Sequence, residues 1–343
     1  MKAVAATRQG EVEVVDLPMP HVEDYEALVK VRACGLCNAT DLKIIDDHLS
    51  NWKVAFPVIV GHEGVGEVVE VGSKVRNIQV GDRFTNPHGR IEPGTRFNRM
   101  WAGMVEYAVV QDQEVAEELG VPREKGIGAR PRVPADISFA DAAILLTLKE
   151  CYSGIYNLGF REGMDVLVYG DGPVGRALVR FMRLGGAGWL GCIGHHDDRL
   201  AGVKEVGGAD LVINSHKEDV GEALGDREFD MVIDAVGSTK IILESTERLK
   251  PGGKVSVYGV LKPDDCEISL LDLKNHTAVH MLNFPHREGD VHDEVVEMVQ
   301  AGKIVPGNYY SHTVPIEDAP RGVEMIRSRE ALKVVFTMNG DRE

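Results

Sequence analysis

The sequence predicts an α/β protein in two parts, a compact, irregular β domain and a doubly wound parallel sheet. Three observations predict it. The chain has 343 residues, beyond the length at which a single hydrophobic core usually stops growing, so two domains are expected. Residues 1 to 145 hold short β-rich runs such as VEVVDL, ALVKVRA, GEVVEVG and VEYAVV, punctuated by Gly, Pro and Asp. Residues 146 to 283 alternate strand and helix patterns, which argues for parallel strands joined by helices.

In that second region, strands are expected at 165–169, 189–193, 210–213, 229–234 and 253–258, with helices at 173–185, 197–206 and 238–248. The apolar run VLVY leads straight into GDGPVG, so Gly170, Gly172 and Gly175 stand at the GxGxxG spacing of a dinucleotide fingerprint. Such glycines permit a tight turn and let a pyrophosphate approach the N-terminus of the helix that opens at Pro173 and Val174. From residue 284 to 343 the chain is broken by Pro285, Pro306, Pro315 and Pro320. It keeps one helical stretch at 290–301 and ends in the apolar run LKVVFTM, and it is expected to pack back on the first domain. No internal repeat or low-complexity segment interrupts the chain.

Composition narrows the functional classes. A formal charge of −16 and a pI near 5.2 disfavour nucleic acid and anionic membrane as partners, because both call for a basic face. No apolar run reaches the roughly 20 residues needed to span a bilayer, and MKAVAATRQGEVEVVD lacks the segments of a secretion signal. A cytoplasmic protein is therefore expected. The cysteines stand at 34, 37, 151, 192 and 266, odd in number and scattered, unlike a disulfide framework. Cys34 and Cys37 form a CxxC that reads either as redox-active or as half of a structural zinc site, with no second CxxC to complete the latter.

Cys37 in CGLCNATD and His62 in GHEGVGEVVEVG pair a soft thiolate with an imidazole, which together look like half of a metal site. A catalytic zinc ion usually has three protein ligands and one open position. A metal end and a dinucleotide end in one chain point to metal-assisted hydride transfer. Here the metal favours the alkoxide of a substrate whose hydroxyl proton is otherwise tightly held.

GHExxGxVxxVG at 61–72, GDR at 81–83, GDGPVG at 170–175 and LKPGGKV at 249–255 occur in the order found in the medium-chain zinc-dependent alcohol dehydrogenases, and the chain resembles that family from its first strand to PIEDAPRGVEMIRSREALKVVFTM. The resemblance implies a GroES-like catalytic domain (1–145 and 284–343) split around a Rossmann coenzyme domain (146–283), with the active site in the cleft between them. It also implies homodimers or homotetramers. Glu63 resembles a glutamate that lies beside the metal and in some members exchanges onto it; its other reading is a salt-bridge or hydrogen-bond partner. The family's third ligand is a Cys, Glu or Asp, but counting back from Gly170 without gaps reaches Leu146. Glu150, one turn further along the same helix face, is the expected replacement ligand, or else a general acid or base near the nicotinamide, or an exposed helix carboxylate. Cys151 points about 100 degrees away on a regular helix and reads as a small buried residue. CNATD has one residue more than the family's spacing between the cysteine and its TD pair. Thr40 therefore matches the hydroxyl that relays the substrate proton only when counted from Asp41, with capping or packing as the alternative. Asp41 is expected to orient a ligand, and His48 either passes protons outward or is a surface residue.

Many members of the family it resembles carry a structural zinc on four cysteines after GDR. FTNPHGRIEPGTRFNRMWAGMVEY has none, so a second metal is not expected, and His88, Arg90, Arg96, Arg99 and Trp101 either line a pocket for a hydroxylated or anionic substrate or form a solvent loop. At the position resembling the acid that holds the adenosine ribose stands Gly194. Its lack of charge, with His195, His196 and Arg199 as donors, predicts NADP(H) over NAD(H), which Asp197 and Asp198 would oppose if the loop folds inward. Val236 in DAVG and Gly259 and Val260 in YGV are implied to line the coenzyme. The expected function is a zinc-dependent NADP(H) oxidoreductase interconverting a secondary alcohol, sugar or polyol and its carbonyl compound. Rivals are a zinc-independent NADPH quinone or enone reductase of the same fold and a catalytically inactive nucleotide-binding protein.

Overall fold

A computed structural model describes residues 1–48, 53–87, 89–121, 131–274, 277–282 and 286–338. The chain forms two compact units, one of Met1–Leu146 with His292–Glu343 and one of Thr147–Val291. The first junction falls one residue later than expected from the sequence, and the second at Val291/His292 rather than 283/284. His292 marks the return to the first unit, where its Nε2 donates to the Arg132 carbonyl at 2.8 Å.

The first unit is built around the strand Glu26–Gly35, which is buried along most of both faces. It pairs antiparallel with Glu63–Val71, Tyr107–Gln111 and, at its far end, Val334–Thr337. Register shifts between Leu28 and Val29 and between Val31 and Ala33 mark bulges that bend the strand. A second, four-stranded sheet runs Glu11–Asp16, Lys2–Arg8, Val58–Ile59, Asn98–Arg99. The core between them draws on both chain ends, with Val4, Ile44, Ile59 and Met104 packed in one cluster with Val323 and Phe336. Arg90 expends its charge on buried Glu26, at 2.6 Å, so it ties the fold together instead of lining a pocket, and His88 lies outside the described residues.

The second unit holds six parallel strands in the order Leu211–Asn214, Trp189–Gly194, Asp165–Tyr169, Phe229–Asp234, Leu249–Val257, Ala278–Met281. The interior runs are buried at nearly every position, as strands covered on both faces require. The order reverses between Asp165–Tyr169 and Phe229–Asp234, the point at which open α/β sheets bind ligands beyond their carboxyl ends. The strand Ala278–Met281 and the helix Val220–Leu224 were not expected from the sequence. AVHM is four residues long with exposed ends, too short to show a period. Among the described residues no helix is long and apolar enough to cross a membrane.

Gly170 turns the chain with φ +122°, Gly172 precedes the helix Pro173–Leu184 with Pro at its first position, and a Cβ on Gly175 would overlap the Gly170 carbonyl oxygen. Replacement of Gly175 by Ala is expected to lower the unfolding free energy by about 1–3 kcal/mol, measured by urea denaturation.

Candidate metal centre and coenzyme crevice

The central strand of the first unit ends at Gly35 and delivers Cys37 on the loop that follows. His62 sits between Gly61, whose φ of +95° and close approach to Met104 exclude a side chain, and Glu63, the first residue of its own strand. Sγ of Cys37, a ring nitrogen of His62 and a carboxylate oxygen of Glu63 all lie within 4.8 Å of one another. Among the described residues this is the one such group of three. A thiolate, an imidazole and a carboxylate are donors that zinc accepts, and three of them leave a position open.

Asp41 holds two of the three in place. Its Oδ2 accepts the Cys37 backbone N–H at 2.9 Å and its Oδ1 lies 3.0 Å from His62 Nδ1, which leaves the other ring nitrogen for the Cys37 side. Burial works against a charge on His62, but the Asp41 carboxylate overrides it, and the ring's proton affinity rises well above the usual histidine range. The Thr40 N–H points to Cys37 Sγ at 3.4 Å. Thr40 opens the helix Thr40–Ile45, whose cap is Ala39 without a side-chain bond, so the capping reading of Thr40 does not hold. The Trp101 ring packs on His62 with centroids 5.4 Å apart, whereas His48 is exposed.

Glu63 is almost fully buried and pairs with equally buried Lys333, whose Nζ lies 2.8 Å from Oε1 and 2.7 Å from Oε2. Burial opposes the Lys333 charge and Glu63 restores it, so its pKa stands above the ordinary lysine value. A Cβ on Gly35 would collide with the Glu63 carboxylate, which accounts for the glycine. In the CxxC, Cys34 is fully buried, which pushes its thiol pKa well up, whereas Cys37 faces the donor group.

Leu146 is buried with apolar neighbours in the sequence run Ile144, Leu145, Leu148. Glu150 is half-buried on the helix Leu145–Asn157, in the second unit, and is not in the converging group. Cys151 is fully buried, with Sγ 3.8 Å from the Tyr258 hydroxyl, as its packing reading expects. Sequence reasoning overlooked Lys149 on the same helix, 1% exposed. Burial pulls its pKa down to about 8, partly offset by Glu288 and Glu150. It also overlooked Lys333, although a lysine leading into VVFTM is a legible signal.

At the carboxyl ends of the parallel strands, Gly170 lies against Val236, and the 236–237 turn packs backbone to backbone on Gly259 and Val260. Asp234 organises that turn by accepting the N–H groups of Val236, Gly237 and Ser238 at 2.8–2.9 Å. The expectation that the end of Trp189–Gly194 lacks a carboxylate needs correction. Gly194 has none of its own, but the Asp171 side chain fills the space above it, and a Cβ there would lie 2.5 Å from Asp171 Cβ and Oδ2. Oδ2 accepts the backbone N–H groups of His195 and His196 at 2.7 and 2.8 Å and lies 3.0 Å from His196 Nδ1. Asp197 turns away, bonded to Asn214 and Lys217. His195 stacks on His216, centroids 4.1 Å apart, a third imidazole that the sequence reading did not foresee.

A catalytic-type donor set in a β-rich unit, joined to a six-stranded parallel dinucleotide fold, defines a zinc-type, nicotinamide-linked dehydrogenase scaffold. The family descriptions "Alcohol dehydrogenase GroES-like domain" and "Zinc-binding dehydrogenase" match residues 23–122 and 173–300. The chain is 28% identical to a sorbitol dehydrogenase of Bacillus subtilis over 79% of this chain and 77% of the relative. It is also 28% identical to an L-threonine 3-dehydrogenase of Chelativorans sp. over 98% of both. In structure it is similar to a putative zinc-binding dehydrogenase from Sinorhizobium meliloti 1021 bound to NADP, with TM-score 0.78, 26% identity and 98% of each chain covered. The chain belongs to the medium-chain, zinc-dependent alcohol dehydrogenase family and is a dehydrogenase acting on small molecules.

Three outcomes are expected from these environments. Asp41→Asn is expected to weaken zinc retention about 10–100-fold, measured as metal content after dialysis against a graded chelator. In the native protein zinc content should fall as pH drops, because protons compete for His62 and Cys37. Lys149→Met removes a buried charge. Since the folded-state pKa lies below the unfolded one, the penalty is complete below about pH 8 and fades as pH rises towards 10.5. The variant should therefore be more stable at pH 7 by up to roughly 3 kcal/mol, with the gain vanishing at high pH in paired denaturation curves.

Proposed function

We propose that the protein interconverts a secondary alcohol, sugar or polyol and its carbonyl compound, using one zinc ion and a nicotinamide coenzyme, with no structural zinc. The observation that carries this reading is the convergence of Cys37, His62 and Glu63, two of them held by one buried Asp41. A zinc ion held by these residues supplies Lewis acidity that favours ionisation of an alcohol hydroxyl, and the coenzyme supplies the hydride acceptor. The chain's own groups do the rest. Asp41 fixes the ring orientation of His62, Lys333 neutralises and positions Glu63, and Trp101 shields one side of the imidazole. The Thr40 hydroxyl, adjacent to the cysteine loop, is the group proposed to move the substrate proton. Glu63 is the preferred third ligand, with Glu150 as the alternative, from the helix that carries Leu146.

For the coenzyme, His195, His196 and Arg199 support NADP(H), the form bound by the Sinorhizobium relative, while the Asp171 carboxylate works against that preference. The names of the sorbitol and threonine dehydrogenase relatives support a hydroxylated substrate. A cytoplasmic homodimer or homotetramer belongs to the same proposal.

The test measures zinc content and coenzyme-dependent turnover across an alcohol and polyol panel. Wild type should hold about one zinc ion per chain. Glu63→Gln should lose zinc and about 100-fold or more in kcat/KM, and unchanged zinc in Glu150→Ala would place that carboxylate off the metal. Turnover of quinones or enones by zinc-free protein would favour the metal-independent reductase instead.

A further inference from the structure

We propose that Asp171 is the residue that sets coenzyme choice, supplying from the glycine-rich turn the carboxylate that the strand Trp189–Gly194 lacks at its end and thereby restraining binding of a 2′-phosphorylated dinucleotide. The inference rests on the reading that this crevice takes a nicotinamide dinucleotide.

In a sheet of this kind the acid that receives the adenosine ribose hydroxyls stands at the end of the second strand. Here that place is glycine, yet its side-chain volume is occupied. The Asp171 side chain enters from the neighbouring turn and is only 10% exposed. Its Oδ2 takes three donors from His195 and His196. No hydrogen bond among the described residues uses Oδ1, which is free to accept a ribose hydroxyl. The two backbone N–H groups that a 2′-phosphate would seek beyond Gly194 are already spent on a carboxylate. A phosphate brought there also meets a like charge in a partly desolvated site, where repulsion is stronger than in water. His195, His196 and Arg199 are the opposing donors. With a carboxylate and imidazoles sharing one pocket, the balance between the two coenzymes depends on Asp171 and not on residue 194.

A second consequence follows from the shared volume. Gly194 and Asp171 are a matched pair, because an aspartate introduced at 194 would place its Cβ 2.5 Å from Asp171 Cβ and Oδ2. Installing the usual ribose-binding acid therefore requires that Asp171 first be shortened.

The test is binding of NADH and NADPH to the full-length protein by isothermal titration calorimetry, with no substrate present. Asp171→Asn keeps an acceptor for the loop N–H groups and removes the charge. It should shift the NADPH-to-NADH affinity ratio about tenfold or more towards NADPH. Gly194→Asp should weaken both coenzymes, and Gly194→Asp combined with Asp171→Ala should recover NADH binding, since a carboxylate again stands over the same spot. An unmoved ratio in Asp171→Asn, or one moved towards NADH, overturns the proposal. So does Gly194→Asp binding NADH as tightly as wild type, or a double variant that fails to recover it. Wild type that binds neither coenzyme overturns the nicotinamide reading itself, and this inference with it. That result is distinct from a wild type that binds both while the variants leave the ratio unchanged.

Discussion

A single buried carboxylate organises the metal end of this molecule. Asp41 is fully enclosed and accepts from the Cys37 backbone and the His62 ring, so a cysteine-bearing loop and an imidazole from a separate turn are brought to one point by the same side chain. A buried carboxylate is tolerated only where its oxygens are satisfied, and here each oxygen is satisfied by a donor-group residue. The stability of the fold around Asp41 and the geometry of the site are thus one requirement. The surrounding backbone serves it: Gly35 leaves room for Glu63, and Gly61 lets the chain press against Met104 so that His62 faces inward.

Much of this was legible in the sequence. The strands 165–169 and 229–234 coincide with those in the structure, because parallel strands covered on both sides read as unbroken apolar runs. Cys37 and His62 were legible because soft donors flanked by glycine turns are uncommon. The third donor was less legible: the sequence offered both Glu63, beside His62, and Glu150, one helix turn beyond Leu146, and only the first converges with Cys37 and His62. Lys333, the counter-ion of Glu63, is separated from it by 270 residues, and nothing in the local pattern pairs them.

The coenzyme end shows why a residue-by-residue reading of charge can mislead. Gly194 implies an uncharged ribose pocket when strand ends are compared position by position. Space, however, is shared between neighbouring strands and turns. Asp171 occupies a variable place in GxGxxG, where any residue satisfies the motif, and its side chain reaches across to the adjoining strand end. The motif carries information about backbone approach and none about the electrostatics of its variable positions, so only coordinates expose the substitution.

The pairing of Glu63 with Lys333 also orders events during synthesis. A chain leaves the ribosome from its N-terminus, so the cysteine, histidine and glutamate of the site emerge long before Lys333, 270 residues beyond Glu63. Until the last strand docks beside Gly35, the glutamate has no internal cation. The strand nearest the other end of the chain thus completes the charge balance of a site whose remaining members all come from its first 63 residues.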